Sequence, residues 1–218
     1  MRKGELVYRS FERFWHWMQA ALILFLALTG FEIHGSLPFF GFGNAVRYHA
    51  AAALCFLVLM AFAVFWHFTT EEWRQYLPTR KNLRAQAEYY LHGIFRNAPH
   101  PTRKHPLRKL NPLQKLVYAG LKVFLIPLMA ASGLLYMVYR YPERHEVRSL
   151  TIGMLEPIAV LHTLGAFFMV AFLIAHLYLI TTGQTLTSNL KAMVTGYEEF
   201  PEEPEPEAPA TAAVQGGL

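Results

Sequence analysis

The sequence predicts an all-α integral membrane protein, a four-helix bundle with both termini in the cytoplasm. Three observations point there: four apolar runs of bilayer-spanning length, a shortage of charge, and an uneven spread of Lys and Arg over the segments that join the runs. Of 218 residues, 54% are hydrophobic and 16% charged, where a soluble domain carries ~25% charged residues. Mean hydropathy is only +0.22, because charged connecting segments dilute the apolar runs.

The runs cover residues 14–34, 46–68, 116–139 and 157–181. Each matches the ~20 helical residues that a hydrocarbon core demands. Within lipid every backbone amide must be paired inside its own segment, so the runs are helices. The first has no small-residue cleavage site and reads as a retained span rather than a signal peptide. The fourth carries no formal charge. The segments before the first span, between the second and third, and after the fourth hold most of the Lys and Arg. The two opposite segments hold four: Arg47, Arg140, Arg144 and Arg148. Positive residues stay inside, so the termini and the long middle loop are cytoplasmic. Trp15, Trp17, Trp66 and Trp73 fall near the cytoplasmic ends, as an interfacial belt requires.

The bundle domain is expected over residues 1–197. Its basic loop, residues 70–112, repeats Leu83, Ala87, Tyr90, Leu91, Ile94 and Phe95 at helical spacing. This fits either a helix lying on the membrane surface or a plain linker helix. The tail, residues 198–218, has six Glu and four Pro without apolar period, a composition that predicts disorder. The lone cysteine, Cys55, excludes a disulfide framework, a thiolate metal site and a C-x-x-C-H haem attachment. Any haem would therefore be b-type. No nucleic-acid partner is expected.

Chemistry is concentrated in the histidines, which are expensive inside a bilayer and mark function there. His162 and His176 are fourteen residues apart, a rise of ~21 Å and within ~40° of four whole turns. Both imidazoles thus lie on nearly one face, one near each membrane surface, which suits two stacked haems. Gly165, one turn beyond His162, offers a porphyrin room to approach. Partners at the outer level are His49 and His34. His49 is preferred because His34 stands at the very end of its span, within reach of water. Arg47, two residues from His49, is placed to pair with a haem propionate. Partners at the inner level are His16 and His67. His49 and His67 share a face but are eighteen residues apart, ~27 Å, which does not match the ruler on the fourth span. His16 is therefore preferred for the inner site, with His67 as the alternative.

Taken together, Arg13-Phe14-Trp15-His16-Trp17, Arg47-x-His49 and His162-x13-His176 resemble the di-haem cytochrome b subunits of membrane-bound formate dehydrogenases, NiFe hydrogenases and thiosulfate reductases. The resemblance covers the four spans, about residues 9–182. It implies two haem b groups, with irons held by His16 and His176 inside and by His49 and His162 outside. It also implies a quinone site beside the inner haem. Asn111-Pro112-Leu113-Gln114-Lys115 is similar to the Asn-x-x-Gln-Lys run that lines this site in the formate dehydrogenase relatives. The same residues also suit a helix start, with Asn as cap and Pro in the first turn.

The expected function is electron transfer across a bacterial inner membrane. It links a quinone pool on the cytoplasmic side to a periplasmic partner, an iron–sulfur or multihaem cytochrome subunit. The alternatives are a stand-alone cytochrome b561-type quinol oxidoreductase and a redox-silent membrane anchor. His34 and His67 are extra to the pattern and leave room for a third haem or, at His67, a proton relay. Glu32 and Lys122 have no role that the sequence explains.

Overall fold

The computed structural model describes residues 4–96, 98, 101, 109–140 and 152–198. Four helices long and apolar enough to cross a membrane run over Ser10–Ile33, Phe42–Thr69, Pro112–Tyr139 and Gly153–Ile180. Each opens one turn ahead of the predicted apolar run, because a first turn lies in the polar interface and tolerates polar residues. The first two spans are α1 (Ser10–Ile33) and α2 (Phe42–Thr69). A short α3 (Leu83–Glu88) lies in the middle loop. The third span is α4 (Pro112–Gly120), a π-type turn at Leu121–Leu125, and α5 (Ile126–Arg140). The fourth is α6 (Ile152–Ile180). A further short helix, α7 (Ser188–Thr195), follows it.

Side chains at the helix starts explain several boundaries. Asn111 Oδ1 accepts the Gln114 backbone N–H at 2.8 Å, and Gln114 Oε1 accepts the Asn111 N–H at 3.0 Å, a reciprocal cap with Pro112 in the first turn. Glu12 reaches back to the Arg9 N–H at 2.8 Å and opens α1. Pro157 was expected to begin the fourth span. Instead α6 runs through it, although a proline this far into a helix forgoes the hydrogen bond to the carbonyl four residues earlier and crowds that carbonyl.

The sequence did not reveal α7 or the clasp beyond it. Glu5–Leu6 (β1) pairs antiparallel with Tyr197–Glu198 (β2), so the two terminal segments meet on one side of the bundle. Gly196 makes the turn at φ +91°, and its carbonyl accepts the Val7 and Tyr8 N–H groups at 2.8 and 3.1 Å. A Cβ there would come within 2.7 Å of the Tyr8 carbonyl oxygen. Arg13 and Trp17 of α1 donate to the Val194 and Met193 carbonyls of α7 at 2.7 and 3.2 Å. Buried Lys109 ties the middle loop to this same inner end, 2.6 Å from Glu12 and 3.5 Å from Glu72.

The predicted helical stretch of the loop is present as α3, a π-type turn at Tyr89–Gly93 and a 3-10 turn at Ile94–Arg96. Leu91 and Phe95 stand 67% and 75% exposed, as apolar side chains of a membrane-surface helix would. Residues 102–108, Arg144, Arg148 and the tail 199–218 lie outside the described residues.

Phe56, Leu121 and Ile126 form the buried core, surrounded by Leu22, Leu26, Met60, Met169 and Phe172. On α2 and α6 these positions fall between the outer and inner histidines. Phe62, Phe65, Phe167 and Ile174 point outward with most of their surface free, as expected of helices apolar all round that are solvated by lipid.

Candidate functional site

The structure brings the histidines together in two pairs. At the outer level His49 of α2 faces His162 of α6, with ring centroids 6.3 Å apart and planes at 71°. At the inner level His16 of α1 faces His176 of α6, with centroids 6.2 Å apart and planes at 51°. Among the described residues no three His, Cys, Asp or Glu side chains gather to hold a metal. Pairs are what an iron needs whose other four donors come from a porphyrin.

The spacing fits such an iron. Two imidazoles that would share one metal, each bonded at ~2 Å and with ~1.2 Å from nitrogen to ring centre, would have centroids ~6.4 Å apart, close to both observed separations. Packing of bare rings does not require that separation at both levels.

The outer pair also carries a fixed tautomer. Thr29 Oγ1 lies 2.9 Å from His49 Nδ1, and Ser132 Oγ lies 2.9 Å from His162 Nδ1. Each hydroxyl has one hydrogen, and each directs it to a carbonyl in its own helix: Thr29 to Phe25 at 2.9 Å, Ser132 to Leu128 at 2.6 Å. With each hydroxyl hydrogen on its carbonyl, the hydroxyl oxygen is left to accept from the imidazole. Nδ1 therefore carries the hydrogen, and Nε2 is the free electron pair. Two facing imidazoles that both offer electron pairs call for a cation between them. Hydroxyl partners on the second nitrogen are how proteins orient metal-bound histidines.

Glycines complete the outer site. A Cβ on Gly30 would sit 3.6 Å from His49 Cε1, and one on Gly133 would sit 3.4 Å from His162 Cε1. Thr29-Gly30 of α1 and Ser132-Gly133 of α5 thus play one part twice, each supporting a histidine of a neighbouring helix. Gly165 does not open a space for porphyrin, contrary to expectation. Its missing Cβ lets α6 approach the third span, where it would come 2.5 Å from Met129 Sδ and 3.7 Å from Leu125.

The inner pair is held by rings instead. His176 stacks on Phe172 with centroids 5.7 Å apart and planes at 13°, and Trp17 meets His16 edge-on at 5.2 Å. His16 Nδ1 is buried without a hydrogen-bond partner among the described residues.

His67 stands apart from both pairs. Its Nδ1 lies 2.6 Å from the Ala63 carbonyl, and its Nε2 faces the Tyr76 hydroxyl and the Lys122 amine, each at 3.4 Å. His34 is exposed at the end of α1. Arg47 is exposed, and no ion pair involves it among the described residues. Glu32 acquires a structural role: its Oε1 accepts the N–H groups of Phe39, Phe40 and Gly41 at 3.0, 2.6 and 2.7 Å, which folds the outer loop onto the start of α2.

At the inner surface Asn111 donates from Nδ2 to the Tyr90 hydroxyl at 3.1 Å. Gln114 is engaged in the cap and Lys115 is half-buried beside it. Burial pushes the Tyr90 hydroxyl up from the ordinary tyrosine range, partly offset by the bond to Asn111. Burial, and then the Glu12 carboxylate, push the Tyr76 hydroxyl up as well, so both phenols stay neutral at physiological pH.

The chain resembles known proteins along most of its length. Residues 7–196 match the family model described as prokaryotic cytochrome b561. The chain is 29% identical over 196 residues to an Escherichia coli K12 protein provisionally named cytochrome YdhU, covering 88% of this chain and 73% of that one. It is 23% identical over 195 residues to an Azospira oryzae protein provisionally named protein-methionine-sulfoxide reductase subunit YedZ1, covering 84% of this chain and 92% of that one. No solved structure matches. The family match spans all four membrane helices and both histidine pairs, and on it this chain belongs to the prokaryotic cytochrome b561 family, haem b-binding electron-transfer proteins of the bacterial inner membrane.

Proposed function

We propose that the chain holds two haem b groups and carries electrons between a quinone pool at the cytoplasmic face and a periplasmic redox subunit. The observation that carries this reading is the repeated imidazole separation, 6.3 Å outside and 6.2 Å inside, at two levels of one helix. Iron in such a site supplies one-electron redox chemistry at a potential tuned by ligand, hydrogen bond and burial.

The residues divide the labour. His49 and His162 hold the outer iron, Thr29 and Ser132 fix their tautomers, and Arg47 neutralises a propionate. His16 and His176 hold the inner iron. Asn111, Gln114 and Lys115 border the quinone, with Tyr90 as an added hydrogen-bonding neighbour. The Asn111 Nδ2 that now meets Tyr90 is the donor available to a quinone carbonyl, while its Oδ1 stays in the cap. The subunit name carried by the Azospira relative supports a chain that works beside a partner. An iron–sulfur or multihaem cytochrome subunit is the class that would exchange single electrons with the outer haem.

The test is the haem-to-protein ratio of the purified protein with its reduced-minus-oxidised spectrum, followed by reduction with a quinol. Two haems per chain and reduction by quinol are expected. A colourless protein would sink the proposal. His16→Ala with full haem and an unchanged spectrum would overturn the inner assignment. A chain that oxidises quinol with no copurifying periplasmic subunit would favour the stand-alone enzyme.

A further inference from the structure

The inner end of the bundle holds a polar cluster that neither histidine pair uses. His67 Nδ1 sits 2.6 Å from the Ala63 carbonyl oxygen, so Nδ1 carries hydrogen and Nε2 is left as a base. The Lys122 amine and the Tyr76 hydroxyl both lie 3.4 Å from that nitrogen. The amine also rests over the Tyr76 ring, 3.2 Å from its centre, and 5.1 Å from the centre of the Trp15 ring. Lys122 lies in the π-type turn Leu121–Leu125, a helix irregularity that recurs at functional sites. Toward the cytoplasm lie Glu12, Lys109 and Glu72, joined at 2.6 and 3.5 Å. Tyr8 and Tyr118 are the other titratable groups close to Tyr76.

This grouping is suited to holding one exchangeable proton. An ammonium on Lys122 facing neutral His67 is a matched pair. One proton more sets two cations 3.4 Å apart, and one fewer leaves two bases face to face. Trp15 connects the cluster to the inner histidines: its ring meets His67 edge-on at 5.2 Å, and it directly precedes His16. The cluster thus packs against the α1 residue that neighbours an inner histidine in sequence.

We propose that Lys122, His67 and Tyr76 form a proton-exchange site, reached from the cytoplasm through Glu72, Lys109 and Glu12, that binds one proton for each electron arriving at the inner haem and releases it when the electron leaves. It rests on the reading of His16 and His176 as inner-haem ligands. The electron comes from quinol or the redox partner, and the proton from cytoplasmic water. The balance is one negative charge matched by one positive charge.

The test is a spectroelectrochemical titration of the full-length holoprotein at several pH values, with both haems followed. In the unaltered protein the inner potential should fall as pH rises, because reduction binds a proton, and the outer potential should fall much less. Lys122→Met should flatten the inner slope to that of the outer haem. Lys122→Arg keeps the positive charge without a releasable proton, so it should flatten the slope too; it decides the matter if Lys122→Met does not assemble. Tyr76→Phe should weaken the slope without abolishing it. An inner slope unchanged in Lys122→Arg, or absent from the unaltered protein, overturns the proposal. A preparation without haem would instead refute the ligand assignment on which it rests.

Discussion

The outer and inner histidine pairs have nearly the same separation but are supported in opposite ways. Outside, each imidazole gives its Nδ1 hydrogen to a hydroxyl at 2.9 Å and lies against a glycine. Inside, no hydroxyl among the described residues reaches His16 Nδ1, and the rings are confined by Phe172 and Trp17. The outer site is thereby fixed in tautomer and orientation, while the inner one is fixed in position only. A hydrogen bond that draws on Nδ1–H makes the imidazole a stronger electron donor and stabilises oxidised iron. The outer haem should therefore be the harder one to reduce. This difference would hold electrons at the inner end.

The comparison breaks most directly at the ligands. His162→Ala should reduce haem content from two per chain to one and remove the outer haem from the spectrum, and His176→Ala should remove the inner one; pyridine haemochrome assay with redox titration identifies which is lost. Loss of neither haem would end the comparison.

The next largest effect belongs to the hydroxyls. Thr29→Val combined with Ser132→Ala should weaken haem retention ~10-fold or more and raise the outer potential, by ~59 mV for each tenfold of preference for oxidised iron that is lost. The inner potential should stay where it was. Equal shifts at both haems would show that the hydroxyls act through the fold rather than through their own histidines.

Gly133→Val should come third. Its branched side chain enters the space 3.4 Å from His162 and should tilt that ring, lowering outer haem occupancy while the inner haem is retained. Asn111→Ala should matter least to the haems. It removes a helix cap worth about 1 kcal/mol, to be read as a small loss of thermal stability in detergent. It should also raise the KM for quinol at the inner end, with the outer haem unaffected.

Much of this was readable from one-dimensional spacing. Four apolar runs marked the spans, and the interval between His162 and His176 set two levels, with His49 preferred outside and His16 preferred inside over His67, whose spacing from His49 is too long for that ruler. What escaped was whatever depends on neighbours across helices. Thr29 and Ser132 look like ordinary hydroxyls in apolar helices, because back-bonding to a carbonyl four residues earlier is common there. A signal did exist: a hydroxyl residue followed by glycine occurs in each of the two spans that supply no outer ligand. Gly165 was misread because proximity along the helix was taken for proximity in space; it faces Met129. Lys122 went unexplained, since a π-type turn leaves no mark in the hydrophobic period. The terminal clasp was illegible because strands of two residues carry no alternation to detect.

One feature of the architecture bears on how the protein is made. α6 contributes an imidazole to each level, and it is the last helix to enter the bilayer. A chain still on the ribosome, with three helices inserted, owns only one imidazole of each pair. On the proposed ligand assignment, cofactor loading waits for α6. A chain truncated before residue 162 should accumulate, if at all, without colour.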